Sequence, residues 1–160
     1  MKRRTLSVLV HNSPGVLNRV AGLFSRRGYN IESLNVGMTD NPELSCLTIL
    51  VDADPASIEQ VTKQLHKLID VIKISDITEE ATVDRELVLF KVRADSPIRA
   101  EIMQIASIFR ARIVDFGRRS LIIEVTGDHQ KINAIEQSLK PFGIMEMIRT
   151  GVISMVRGKS

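Results

Sequence analysis

Over the first 24 residues the apolar period changes from two to helical within one short turn, which marks a strand-to-helix junction. Leu6, Val8 and Val10 alternate along Thr5 to Val10, the pattern of a half-buried strand. Val16, Leu17, Val20, Leu23 and Phe24 then recur at helical spacing. Between them lies His11-Asn12-Ser13-Pro14-Gly15. Ser13 or Asn12 is expected to cap the helix, with Pro14 at its first position, where no N–H is needed. Gly15 follows with no side chain to cover the backbone. The first-turn N–H groups, notably those of Gly15 and Val16, are expected to lack partners and to suit a small anionic group such as a carboxylate.

The same alternation of periods continues along the chain. Arg26-Arg27-Gly28 ends the first helix, with cations in its last turn and glycine beyond. Tyr29 to Met38 and Leu44 to Val51 read as strands, joined through the turn Thr39-Asp40-Asn41-Pro42 into a hairpin. Asp54 caps a second helix with Pro55 at its first position and Ile58, Val61, Leu65 and Leu68 on its apolar face. Val71 to Ile77 is a fourth strand. The order strand, helix, strand, strand, helix, strand is that of the ferredoxin-like βαββαβ arrangement.

Thr78 to Asp84 is polar and aperiodic, and the order then repeats. Leu87 to Val92 is a strand, and Ser96-Pro97 is expected to open a helix carrying Ile98, Ile102, Ile105, Ala106 and Phe109. Arg112 to Phe116 and Leu121 to Val125 flank a turn at Gly117-Arg118-Arg119-Ser120. Asp128 caps a helix with Ile132, Ile135 and Leu139, and Pro141 to Val156 reads as one long strand, broken at Gly143 and Gly151. Ser13-Pro14 echoes Ser96-Pro97, and Leu23-Phe24 echoes Ile108-Phe109. The expectation is an α+β chain of two ferredoxin-like domains, residues 1–78 and 85–160, with 79–84 as linker. Ile98-Arg99 stands where the first half has Gly15-Val16, so backbone access is expected in the first half alone.

Composition narrows the function. At 160 residues, 44% hydrophobic and 26% charged, the chain has enough apolar content for a packed core, and with 4% aromatics that core must be aliphatic. The one cysteine, Cys46, lies in an apolar run and fits a reducing cytoplasm. No stretch approaches the ~18 apolar residues of a membrane span. The net charge of +3 permits an anionic partner without demanding one. Arg110, Arg112, Arg118, Arg119, Arg149 and Arg157 make the second half cationic, but Phe90, Phe109, Phe116 and Phe142 read as core, and no stacking signature points to nucleic acid. His11, His66 and His129 sit in different elements without metal-ligand spacing, and neither a dinucleotide fingerprint nor a P-loop occurs. Nothing assembles a catalytic constellation. RNA binding and an active site built between subunits are competing classes.

His11-Asn12-Ser13-Pro14-Gly15-Val16-Leu17 joined to Arg27-Gly28-Tyr29-Asn30-Ile31-Glu32-Ser33-Leu34 closely resembles the small regulatory subunits of acetolactate synthase (acetohydroxyacid synthase). The likeness continues through Gln64 to Val71, Arg85-Glu86-Leu87, Ile108-Phe109-Arg110-Ala111 and Arg149-Thr150-Gly151. The first half is similar to an ACT domain, a ferredoxin-like module that binds amino acids. The resemblance implies a regulatory chain that activates a separate catalytic subunit holding thiamine diphosphate, Mg²⁺ and FAD, and that confers feedback inhibition by valine in branched-chain amino acid synthesis. It implies no cofactor in this chain. It also implies a homodimer through side-by-side ACT domains, with Asn12, Pro14, Gly15, Val16 and Leu17 of one chain meeting Asn30 and Ile31 of its neighbour around the effector. On that reading the amides of Gly15 and Val16 suit the valine carboxylate, Asn30 serves the ammonium group, and Val16, Leu17 and Ile31 line the side-chain pocket. Leucine or isoleucine are the competing effectors, and the hairpin turn bearing Arg118 and Arg119 is a candidate contact for the catalytic subunit. The alternative implied function is a free-standing ACT-type sensor acting on another partner.

Overall fold

The computed structural model describes residues 2–158. The chain divides into two compact units, one running through Val83 and including the segment from Val152 onward, the other Asp84–Gly151. In the first, β1 (Lys2–His11), α1 (Val16–Arg26), β2 (Ile31–Met38), β3 (Leu44–Ala53), α2 (Pro55–His66) and β4 (Val71–Asp76) follow the expected order. The sheet runs β2-β3-β1-β4, and all three pairings are antiparallel. Period two decides which strand residues enter the core: Leu6, Val8 and Val10 of β1 lie with Leu47, Ile49 and Val51 of β3 against Val20, Phe24, Ile58, Val61 and Leu65 of the helices. Asp54 caps α2 by accepting from the Ser57 amide at 2.8 Å, with Pro55 as the first helical residue.

The second unit repeats the plan. It contains most of β5 (Thr82–Arg93), then α3 (Arg99–Ile108), β6 (Arg112–Phe116), β7 (Ser120–Gly127), α4 (His129–Leu139) and β8 (Ile144–Arg149), in sheet order β6-β7-β5-β8. Val88, Phe90 and Val92 of the central strand meet Leu121, Ile123 and Val125 beside Ile102, Ala106, Ile132, Ile135 and Leu139 of the helices. Asp128 caps α4 through the Lys131 amide at 2.9 Å.

Three expectations change. The polar stretch 79–84 is a linker only in part, because β5 already begins at Thr82. The final segment is broken at the two expected glycines: a 3₁₀ turn (Lys140–Phe142) and Gly143 precede β8, and Gly151 separates it from β9 (Ile153–Val156), which pairs with β5. The positive φ of Gly143 and Gly151 accounts for both breaks. The end of the chain also returns to the first unit, where the Val152 amide donates to Ser33 Oγ at 3.1 Å. A domain ending at residue 160 therefore does not coincide with the second compact unit. Third, Phe116, read as core, is 61% exposed.

Two ion pairs fix strand ends. Glu86, buried at the start of the second core, receives both Nε (3.2 Å) and Nη2 of Arg149. The hydrogen bonds it donates to Glu86 hold the Arg149 guanidinium above its usual pKa, against the opposing effect of burial. In the first unit Arg4 Nη2 meets Asp76 Oδ2 at 2.6 Å, and the Thr78 hydroxyl and amide donate to the other oxygen. Burial pushes the Asp76 carboxyl up, but those donors outweigh it and hold it below the usual carboxylate range.

Arg149→Met strands the Glu86 carboxylate in the core. The expected cost is about 3 kcal/mol, the low end for a broken buried pair because Arg149 is 43% exposed, and chemical denaturation measures it. Asp76→Asn removes a carboxylate whose folded pKa is depressed. Its stabilisation is present above the unfolded value of ~3.9 and is lost as pH falls through the folded one. Melting curves are thus expected to place Asp76→Asn below wild type at pH 7 and to converge with it in acid.

Candidate functional site

The turn between β1 and α1 is built from both sides. The amide of His11 donates to the Asp70 carbonyl at 2.8 Å, and that of Asn12 to the Glu43 carbonyl at 2.7 Å. The Asn12 side-chain nitrogen reaches the Pro42 carbonyl at 3.3 Å. The end of the central strand is thereby tied to β4 on one side and to the β2–β3 hairpin on the other.

The helix does not begin as expected. Neither Asn12 nor Ser13 caps it, and Pro14 precedes it rather than opening it. The cap is Gly15 itself, at φ +81°, in the left-handed region that glycine enters without a Cβ penalty. The amide of Val16 is not free either, since it makes a long 3.4 Å contact with the Ser13 carbonyl. Among the described residues the amides of Gly15, Leu17 and Asn18 have no acceptor, as expected for the first turn of a helix without a side-chain cap. With the helix dipole they favour an anion at this end.

The side chains sort differently from the expectation. Val16 is buried with Val20 and Phe24 in the core, so it supports the turn from below and cannot line an open pocket. Leu17 is 45% exposed beside the open amides. Arg19, which sequence reasoning passed over, extends across the turn: a methyl group built on Gly15 would lie 3.0 Å from Arg19 Nη1. Its Nη2 donates to Asp70 Oδ2. The four-residue spacing from Gly15 to Arg19 on a helix was the available signal for the first contact; nothing local announced the second.

Asn30 and Ile31 are not brought to this turn within one chain. β1 and β2 run parallel, because each is antiparallel to β3. Ile31 is level with Val51 and through it with Arg4, whereas Gly15 lies beyond His11. Seven residues of strand separate the two levels, roughly 23 Å at 3.3 Å per residue. Ile31 packs against its own core, and Asn30 is exposed. The outer edge of β2 ends the sheet, and Val36, Gly37 and Met38 along it are exposed.

The equivalent turn of the second unit is spanned by an arginine. Asp95, Ser96 and Pro97 form a turn, and α3 starts only at Arg99. Arg99 Nη2 donates to the carbonyls of Ala94 (2.9 Å), Gly117 (2.7 Å) and Arg118 (2.6 Å), and its guanidinium lies 4.4 Å over the Phe116 ring. Ser96, Arg99, Phe116, Gly117 and Arg118 nevertheless line an open cavity between helix start and hairpin, and among the described residues the amides of Arg99, Ala100 and Glu101 have no acceptor, so unpaired first-turn amides are not confined to the first half, contrary to the expectation from Ile98-Arg99. Among the described residues no group of three His, Cys, Asp or Glu side chains is placed to hold a metal ion, and no helix is long and apolar enough to cross a membrane.

Residues 6–73 match the family model of the ACT domain found in acetohydroxyacid synthase small subunits, and residues 85–158 match that of the small subunit of acetolactate synthase. A probable acetolactate synthase small subunit of Archaeoglobus fulgidus is 55% identical, with 98% of each chain covered. The acetolactate synthase small subunit of Mycobacterium leprae is 51% identical, over 96% of this chain and 91% of that one. The crystal structure of the acetolactate synthase small subunit from Thermotoga maritima superposes with a TM-score of 0.91 at 42% identity, covering all of both chains.

Arg99→Ala removes the shared donor from three carbonyls and a cation from the Phe116 ring. We expect a loss of about 2 kcal/mol and faster amide exchange at 117–120, read by hydrogen–deuterium exchange.

Proposed function

The chain belongs to the family of acetolactate synthase small subunits, and from that premise we propose that it binds valine at the Gly15 turn, shared between two copies paired through their ACT domains. Its role is regulatory, in branched-chain amino acid synthesis, and the chemistry belongs to a separate catalytic chain. Valine, the paired arrangement and the transmission of feedback inhibition to that chain are our reading.

The observation that carries it is the start of α1, where the amides of Gly15, Leu17 and Asn18 have no acceptor. They suit an α-carboxylate, and exposed Leu17 offers apolar cover to a small branched side chain. One chain supplies only half of such a site. Its β2 edge is open, and an antiparallel pairing of two β2 strands sets the start of one opposite the end of the other. Asn30 and Ile31 of a second copy thereby approach the turn of the first. The Asn30 carboxamide carries both donor and acceptor for the polar end of the ligand.

Inhibition requires that valine favour one arrangement of the pair, since a ligand with equal affinity for two states shifts neither. A coupling of about 1–3 kcal/mol changes affinities roughly 5- to 150-fold. The free small subunit is therefore a reader of valine, and the catalytic partner responds to the arrangement it selects.

Gly15→Asp tests this. Aspartate tolerates the left-handed backbone, and its carboxylate falls on the amides and beside Arg19, where the ligand's own would sit. In the reconstituted complex we expect activity to hold its valine-free level across rising valine; inhibition equal to wild type overturns the reading.

A further inference from the structure

We propose that Arg19 and Asp70 form a charge clamp that opens on the zwitterion of an α-amino acid, Arg19 taking the carboxylate beside Gly15 and Asp70 taking the ammonium. The inference rests on the effector reading above and gives that site its charge specificity.

The two residues come from different elements. Arg19 lies in the second turn of α1, and Asp70 immediately precedes β4. Asp70 is anchored by its own backbone, because its carbonyl accepts from the His11 amide at 2.8 Å, and its side chain is 16% exposed. Arg19 is the freer partner at 46%. Its Nη1 lies over Gly15 while Nη2 holds Asp70, so the carboxylate stands one guanidinium's width from the open amides.

This pair covers the helix start with a positive and a negative group at the separation a zwitterion presents in reverse. Inserting the ligand exchanges one ion pair for two. The guanidinium meets the α-carboxylate, to which the Gly15 amide also donates, and the α-ammonium meets Asp70. A second copy's Asn30 offers the ammonium hydrogen bonds but no counter-charge, and Asp70 supplies it. The free Arg19–Asp70 pair also satisfies both charges while the site is vacant, so neither is left uncompensated near the buried end of the strand. A 2-oxo acid of the same shape gains the guanidinium but leaves Asp70 without a partner. The clamp thus separates an amino acid from the oxo acid that shares its carbon skeleton.

Calorimetric titration of the full chain with valine and with 3-methyl-2-oxobutanoate tests the clamp. Wild type is expected to prefer valine by about ten- to a hundredfold, the range of one charge-assisted contact. Asp70→Asn keeps the backbone bond to His11, and it should lose that preference while binding the oxo acid at least as well, since Arg19 is released. Arg19→Gln should weaken both ligands alike, and Asp70→Glu should restore the preference. Equal affinity of wild type for the two ligands, or an Asp70→Asn chain that still prefers valine, overturns the clamp and leaves the effector site standing. A wild-type chain that binds no valine overturns both.

Discussion

Each half of the molecule depends on a central strand that is hydrogen-bonded along both edges. β1 lies between β3 and β4, and β5 between β7 and β8. Such a strand cannot slip by one residue without turning Leu6, Val8 and Val10, or Val88, Phe90 and Val92, out of the core. Its end is fixed in space, and so is the start of the helix that must fold back over the sheet. In the first half His11 and Asn12 are held from both sides, and only a left-handed residue turns the chain into α1. Gly15 meets that demand, and the same freedom uncovers the backbone that an anionic ligand would need.

The second half carries the same scaffold with a different arginine across its helix start. Arg99 reaches back from the first turn of α3 and donates to three carbonyls, with Phe116 beneath its guanidinium. The helices also end alike with different residues. The Tyr29 amide returns to the Phe24 carbonyl around Gly28, and that of Ala111 to Ala106 around Arg110, and both turning residues have positive φ. Topology repeats because periodicity and turn geometry repeat. The arginine near each helix start differs in its partners: Arg19 reaches the Asp70 carboxylate, and Arg99 reaches three carbonyls.

The first unit combines an edge strand, β2, with a helix start whose first amides have no acceptor among the described residues. The buried polar groups serve structure: Glu86 with Arg149 ties β5 to the end of β8, and Arg4 with Asp76 ties β1 to the end of β4. Val36 and Met38 are exposed along β2, among other apolar side chains on both units.

Local sequence determined the elements. Period two against helical spacing marked the strands and helices of both halves, and Asp54-Pro55 and Asp128 marked two helix starts, because caps act within three or four residues. The stretch Asn12–Leu17 was legible as an exposed turn for the same reason. The tertiary structure decided what local rules do not reach. It made Gly15 rather than Ser13 the cap, since the pinned end of β1 sets the angle at which the helix must begin. It sent Val16 into the core, set the start of β2 at the opposite end of the sheet from the Gly15 turn, brought the final strand back to the first unit, and laid Arg19 against Asp70. These are contacts between residues far apart in the chain, fixed by strand register and by the packing of helices on a sheet, and no window of neighbouring residues encodes them.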